Sequence, residues 1–312
     1  MNTVASIDIG TNTILLLIAE IGEGQLNPLL EIETLVRLGE GLQKNGVLSM
    51  EAMERGVQAL KQYMDHCRAY GVGEVFAIGT SALREAKNSG DFLRRVRQNF
   101  DLSIEIISGE EEAHLSYLAV ARDLKEVDRP VLVIDVGGGS TEFILGQGEQ
   151  VRHWVSLPMG SVRFTEQFLI SDPVQEKESN DLAEKIQEML SEIREVDEPV
   201  TLVAVGGTAT TLASVEQRLE KFIPDRIHHF ALARQALGKQ LSLFKAKTLD
   251  ERRRIPGLPP ARADVILAGG TILYLAMEKF KCPSVLISCH GIRYGLLYRL
   301  PNPAKPISSA QE

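Results

Sequence analysis

The residues in this chain best placed to do chemistry are acids at the ends of apolar strands, each followed by a glycine turn. Asp135 ends the run Val131-Leu-Val-Ile134 and precedes Val136-Gly-Gly-Gly-Ser-Thr141, and a second acid, Glu142, comes next. Asp8 lies at the end of the run Val4 to Ile9 and precedes Gly10-Thr-Asn-Thr13. Glycines after a strand let the backbone approach a ligand closely. Successive backbone N–H groups in such turns form a concave anion site. Acids at the edge of a phosphate cradle are costly unless a cation or a proton transfer explains them. The residue types therefore point to a site for phosphate, metal and water.

The elements that must position these turns repeat. Val4 to Ile9 reads as a strand, Ile14 to Ile21 as a returning strand, Gly22-Glu23-Gly24 as a turn and Leu29 to Leu38 as a third strand. The second half follows the same plan, with returning strand Glu142 to Leu145, turn Gly146 to Gly148 and strand Val151 to Val155. Asp8 and Asp135 are 127 residues apart (135 − 8). A unit repeated at that interval predicts two similar domains facing across a cleft, divided here as 1–124 and 125–312, with the last helix packing back on the first.

Between the repeats, Ser49 is expected to cap a helix to about Ala69, with Met53, Val57, Leu60, Met64 and Cys67 on one face. Val75 to Ile78 is a strand closed by Gly79-Thr-Ser-Ala-Leu-Arg84. Asp91 is the expected cap of a further helix, and Ile104 to Ile107 is a strand. Ser108-Gly109 opens a helix with Glu110, Glu111 and Glu112 in its first turn, where acids suit the helix dipole. Later, Gly160-Ser161 opens a helix, and a long charged helix covers about 174–193. Thr201 to Val205 is a strand running into Gly206-Gly207-Thr208, a third glycine turn. Ala231 to Leu243 and Ala263 to Lys279 read as helices, Val285 to Ser288 as the last strand, and Gly291 as the start of the last helix. The Pro/Ser/Ala-rich tail from Pro301 is expected to fray.

At 312 residues with a net charge of −8, the chain offers no overall basic field, and nucleic acid is not an expected partner. A polyanion would need a local basic patch. Arg252-Arg-Arg254 resembles one, but Asp250 and Glu251 adjoin it, and a solvated charged turn is the plainer reading. The three cysteines, Cys67, Cys282 and Cys289, lack zinc or disulfide spacing, which fits a reducing cytoplasm, and Cys67 and Cys282 read as core. The start of the chain lacks a signal-peptide pattern, and no apolar run approaches the roughly 20 residues of a membrane span. His114, His228, His229 and His290 show no metal-ligand spacing and read as structural or surface residues. Arg262 and Arg293 either face the cleft or pair with acids.

Taken together, the turns resemble the exopolyphosphatase / guanosine pentaphosphate phosphohydrolase (Ppx/GppA) family of the actin-like superfamily. The matching pieces are Asp8-Ile-Gly-Thr-Asn-Thr13, Arg37-Leu-Gly-Glu-Gly-Leu42, Gly79-Thr-Ser-Ala-Leu-Arg84 and Ile106-Ile-Ser-Gly-Glu-Glu-Glu-Ala113. Ile134-Asp-Val-Gly-Gly-Gly-Ser-Thr-Glu142, Val205-Gly-Gly-Thr208 and Gly291-Ile-Arg-Tyr-Gly295 continue the set. The resemblance implies an α/β fold of two actin-like (ribonuclease H-like) domains facing across an interdomain cleft. It also implies Mg²⁺-dependent removal of a terminal phosphate by an activated water. By motif, Glu112 and Glu142 would position and deprotonate that water, while Asp135 and Asp8 would serve the metal. Gly10, Thr11, Asn12, Thr13, Gly137, Gly138, Gly139, Ser140, Thr141, Gly207 and Thr208 would hold phosphates, and Arg84 would neutralise their charge.

The chain departs from the family pattern at His114, where Arg is common, and at Cys289-His290, where Ser-Asp is common. Larger relatives carry C-terminal helical domains beyond the matched length, so weaker grip on long polyphosphate, or reliance on a homodimer, is expected. The implied substrate is inorganic polyphosphate, with guanosine pentaphosphate as the alternative. A low aromatic content of 5% leans toward the phosphate chain. A non-catalytic sensor of nucleotide or polyphosphate, and an ATP-dependent kinase, are the rivals from other classes.

Overall fold

A computed structural model describes residues 2–22, 25–124, 128–196 and 198–300. Glu23 and Gly24 of the first expected turn, and the tail from Pro301, lie outside the described residues. The strands form two sheets. The first contains β1 (Asn2–Ile9), β2 (Thr13–Gly22), β3 (Gln25–Leu35), β4 (Glu74–Gly79) and β5 (Ile104–Ile106), in the order β3-β2-β1-β4-β5. The second contains β6 (Val131–Val136), β7 (Thr141–Gln147), β8 (Gln150–Leu157), β9 (Thr201–Val205), β10 (Ala231–Ala233) and β11 (Ser284–Ile287), in the order β10-β11-β9-β6-β7-β8. Read from the other edge, the second sheet copies the first and adds β10.

The copying holds residue by residue. Asp8 pairs with Leu15 across β1 and β2, and Asp135 pairs with Glu142 across β6 and β7. Leu15 and Glu142 are separated by the same 127 residues as the two aspartates, as are Gly79 and Gly206 at the ends of the adjoining parallel strands. Both aspartates thus stand at the carboxyl ends of parallel strands, where open α/β sheets bind ligands.

Helices α1 (Leu42–Asn45), α2 (Met50–Ala69), α3 (Ser81–Glu85) and α4 (Ser89–Phe100) accompany the first sheet. Ser49 caps α2 by accepting the Ala52 N–H, and Met53, Leu60 and Cys67 bury one face, with Val57 and Met64 at its margin. Asp91 does not cap α4. Asn88 holds that position, and Asp91 sits in the first turn, paired with Arg94 at 2.8 Å. Helix α5 (Gly109–Asp123) packs on β6, β7 and β8 and also on α13 (Ile292–Tyr298), which lies against β1 and β2. This helix pair joins the two sheets.

The second half adds α6 (Ser161–Phe168), α7 (Glu176–Ser191), α8 (Gly206–Glu216), α9 (Pro224–Ile227), α10 (Arg234–Lys245), α11 (Leu249–Arg252) and α12 (Ile266–Lys279). The segment expected as one helix from Ala231 begins instead as β10, because Ala231 to Ala233 pair with the edge of β11 before α10 starts. Helix α12 fills the largest core with Ile266, Leu267, Ile272, Leu273 and Met277. Cys67 and Cys282 are buried, and all three cysteines are unpaired. Arg252 is buried rather than part of a solvated turn, donating to the Ala263 carbonyl at 3.3 Å. Among the described residues no helix is long and apolar enough to cross a membrane.

Candidate active site

The cleft is lined from both sheets. The first contributes Asp8, Gly10, Thr11, Asn12 and Thr13, and the second contributes Asp135, Gly137, Gly138, Gly139, Ser140 and Glu142. Glu112, Gly207 and Thr208 complete the wall, joined by Leu15, Ser81 and Arg262. In each turn the first glycine N–H closes the turn onto a carbonyl three residues on: Gly10 to Thr13 at 2.9 Å and Gly137 to Ser140 at 3.0 Å. That leaves the following amides, at Thr11, Asn12, Gly138 and Gly139, as the donors an anion would meet. The walls touch here. A Cβ on Gly139 would lie 2.5 Å from the Ser81 Oγ, so only glycine allows this approach.

Each acid has its own support. Ser116 donates its hydroxyl to Asp135 Oδ2 at 2.8 Å. Gly206, with φ of +83°, leaves room for Asp135, since a Cβ there would sit 2.8 Å from Oδ1. Ser156, the cross-strand partner of Glu142, donates to its Oε1 at 2.7 Å. Ser108 caps α5 by accepting the Glu111 N–H, which fixes the first turn so that Glu112 points inward while Glu110 remains exposed. Arg84 lies outside the cleft lining; its Nη1 donates to Glu112 Oε2 at 3.1 Å and to the Ile107 carbonyl at 2.9 Å. Thr141 is fully buried, and its hydroxyl donates to the Met159 carbonyl at 2.6 Å, so only its backbone faces the turn.

Burial dominates the electrostatics. It raises the Asp8 carboxyl to about 7, with Asp135 adding to the rise and Arg293 opposing it. Burial likewise raises Glu112 to about 8, opposed by Arg84 and reinforced by Asp135 and Asp8. Asp135 is raised by burial against its Ser116 hydrogen bond, and Glu142 is raised well above the usual range by burial, then by Glu112 and Asp135. Carboxyls crowded in a dry cleft cannot all ionise without a cation. Asp8 Oδ1 and both polar side-chain atoms of Asn12 are buried without hydrogen-bond partners. The carboxylate and amide oxygens of this set fit a hard divalent cation held by one or two carboxylates together with substrate phosphates.

Several contributors were not singled out by the sequence reading. Ser116 is one helical turn beyond Glu112, a spacing that could have found it. Ser156 needs the strand register and carried no signal. Arg163 spans the cleft: its Nε donates to the Gly139 carbonyl at 2.7 Å and its Nη2 pairs with Glu85 at 2.6 Å. Arg262 and Arg293, by contrast, read from the sequence as facing the cleft or pairing with acids, and Arg262 does both, lining the cleft and pairing with Glu33. Arg293 pairs with Glu31, and its charge reaches Asp8.

Three of the histidines come together in the fold. His228, His229 and His290, scattered in sequence, gather around Asp123 at the end of α5. Burial, followed by His228, lowers His290 to about 4, and hydrogen bonds from His228 and His229 overcome burial to lower Asp123 to about 2. His114 stays exposed, its Nδ1 at 2.8 Å from the Glu110 carbonyl.

Two duplicated α/β halves, closing glycine turns and acids over a shared cleft, make this an actin-like two-domain protein. Residues 17–302 match the Ppx/GppA phosphatase family. A Ppx/GppA family member from Aquifex aeolicus is 38% identical, with a TM-score of 0.80 over 95% of this chain and 96% of that one. An exopolyphosphatase from Cytophaga hutchinsonii is 27% identical, with a TM-score of 0.86 over 95% of this chain and 97% of that one. A bifunctional 3-dehydroquinate synthase/phosphatase from Fusobacterium nucleatum is 35% identical over 299 residues, 91% of this chain. The chain spans 44% of that relative's length. It belongs to the Ppx/GppA phosphatase family.

Proposed function

We propose that the chain is a phosphoanhydride hydrolase that removes the terminal phosphate of inorganic polyphosphate with an activated water. The observation that carries this reading is a set of four acids facing two glycine turns, with Asp8, Glu112 and Glu142 buried and Asp135 half-buried. Phosphoryl transfer needs in-line positioning and charge neutralisation rather than covalent catalysis. The amides of the turns bind equatorial oxygens without requiring a charged side chain to lose water. Asp8 and Asp135 would hold Mg²⁺, which when bound would neutralise phosphate charge.

Glu112 and Glu142 divide the work on water. Burial raises both carboxyls and Glu112 adds to the rise of Glu142, so ionising either calls for a cation nearby. Arg84 favours ionised Glu112, and the protein gives Glu142 hydroxyl donors but no paired cation. Glu112 is therefore the base that accepts the water proton, and Glu142 orients the water. Arg84 acts through Glu112 rather than on substrate, because it lies behind that carboxylate.

A second reading, guanosine pentaphosphate hydrolysed to the tetraphosphate, draws support from a neighbouring cavity of about 580 Å³ that shares Arg262 with the cleft. Phe222, Pro259, Pro260 and Leu219 line it, apolar surface suited to a nucleoside. Phosphate release from long polyphosphate, short polyphosphate and guanosine pentaphosphate, with and without Mg²⁺, tests both readings. Cation-dependent release from polyphosphate supports the first, and a preference for the nucleotide replaces it with the second. Binding without release makes the chain a sensor, and ADP formation that needs an acceptor makes it a kinase.

A further inference from the structure

Outside the cleft, three segments distant in sequence bring metal-ligating side chains together. Asp123 ends α5, His228 and His229 follow α9, and His290 follows β11. Asp123 Oδ2 is 2.7 Å from His229 Nε2. The other oxygen, Oδ1, faces His228 Nε2 at 3.3 Å and His290 Nδ1 at 3.6 Å. His290 Nδ1 is buried and has no hydrogen-bond partner. Ligand atoms about 2.1 Å from a tetrahedral ion lie about 3.4 Å from one another, close to both separations.

We propose that Asp123, His228 and His290 form a binding site for a transition-metal dication of the zinc class, separate from the cleft and independent of the reaction assigned to it. Two imidazoles and one carboxylate are borderline donors that suit Zn²⁺, Co²⁺ or Ni²⁺ rather than Mg²⁺. His229, on the other carboxylate oxygen, holds Asp123 in orientation, the supporting role common around metal ligands. A hydrogen bond lies between two of these groups. The Cys289 N–H donates to His228 Nδ1 at 3.1 Å, so His228 Nε2 carries the hydrogen and gives it to Asp123. An entering ion takes the place of that hydrogen, which shifts to Nδ1 of the same ring, and the ring turns to release the Cys289 amide.

Its position gives occupancy a consequence. His290 stacks on Tyr294 of α13, with ring centroids 3.9 Å apart, and the Tyr294 hydroxyl donates to Glu31 of β3. Asp123 shares α5 with Glu112. A bound ion would tie together α5, the loop at 228–229 and the start of α13, the segments that join the two sheets.

Co²⁺ titration of the full chain in excess Mg²⁺ tests the site. About one equivalent should bind with the intense visible absorption of a four-coordinate ion. His290→Ala and, as a second variant, His228→Asn should lose the absorption, His229→Ala should weaken binding by roughly 10–100-fold, and exposed His114→Ala should leave it unchanged. Co²⁺ should raise the melting temperature of the wild type but not of His290→Ala, with both compared to their own melting in chelator. The proposal is overturned if the absorption survives in His290→Ala and His228→Asn, if Mg²⁺ competes it away, or if Co²⁺ raises the melting of His290→Ala as much as that of wild type.

Discussion

Asp8→Asn should make the metal-free protein more stable, and more so at high pH. The Asp8 carboxyl is 8% exposed, and its Oδ1 has no hydrogen-bond partner. Burial, with Asp135 adding to it, moves its pKa from 3.8 to about 7. Ionising it in the folded state therefore costs about 4 kcal/mol more than in the unfolded chain. Because the folded pKa is the higher one, the folded state keeps the proton longer. The stabilisation is complete below pH 3.8 and is lost progressively as pH rises through about 7. Asparagine has similar volume and cannot ionise. In chelator at about pH 8 the variant should exceed wild type by about 4 kcal/mol, or roughly 8 °C in melting temperature at about 2 °C per kcal/mol for a chain this long. At about pH 5 the gap should shrink to about 2 kcal/mol, since the unfolded Asp8 is by then largely ionised. Mg²⁺ should raise the melting temperature of wild type more than that of the variant, because a cation at Asp8 stabilises the ionised carboxylate. Thermal melts at the two pH values, with chelator and with Mg²⁺, decide the matter. Equal melting of the two proteins at pH 8 in chelator would show that Asp8 carries no such penalty, and equal Mg²⁺ shifts would remove it from the metal site.

Glu112→Gln should keep substrate binding and lose about 10²–10⁴-fold in kcat, measured by phosphate release under saturating substrate; activity within a few-fold of wild type would rule out Glu112 as the base. Arg84→Ala removes the cation that lowers the Glu112 pKa, so the acid limb of the kcat/KM profile should move to higher pH, and an unmoved limb would separate the two residues. Ser116→Ala takes away the hydrogen bond that opposes the rise of Asp135, and the apparent Mg²⁺ affinity should fall roughly 10–100-fold. Gly206→Ala forces a side chain into positive φ, 2.8 Å from Asp135 Oδ1; a loss of about 1–3 kcal/mol in unfolding free energy is expected.

Asp8, Asp135 and their glycine turns were legible in the sequence because strand periodicity and glycine runs are local signals. The repeat at 127 residues then placed the two turns opposite each other without any knowledge of packing. What stayed hidden depends on register or on long-range contact. Ser156 supports Glu142 only because β7 and β8 pair where they do. The cluster joins Asp123 to histidines 105 or more residues away, and the histidines have no ligand spacing along the chain. The motif assigns Arg84 to phosphate, and its hydrogen bond to the Glu112 carboxylate is visible only in the side-chain geometry. Ala231 to Ala233 have the composition of a helix start, and the exposed edge of β11 overrides that preference.

The duplication also explains why the reaction would run from one side. At the position matching Glu142, the first half has Leu15, and that leucine lines the same cleft. The first sheet therefore contributes an acid for a cation at Asp8 but none for water from its returning strand. The missing carboxylate comes from α5, whose first turn delivers Glu112 and whose next turn delivers Ser116 to Asp135. Because α5 packs on β6, β7 and β8, the acids assigned to water share one body, while Asp8 and the turn at 10–13 ride on the other. Gly138 and Gly139 let the two walls approach this closely, since a Cβ at Gly138 would lie 2.9 Å from the Thr11 Cβ and one at Gly139 2.5 Å from the Ser81 Oγ.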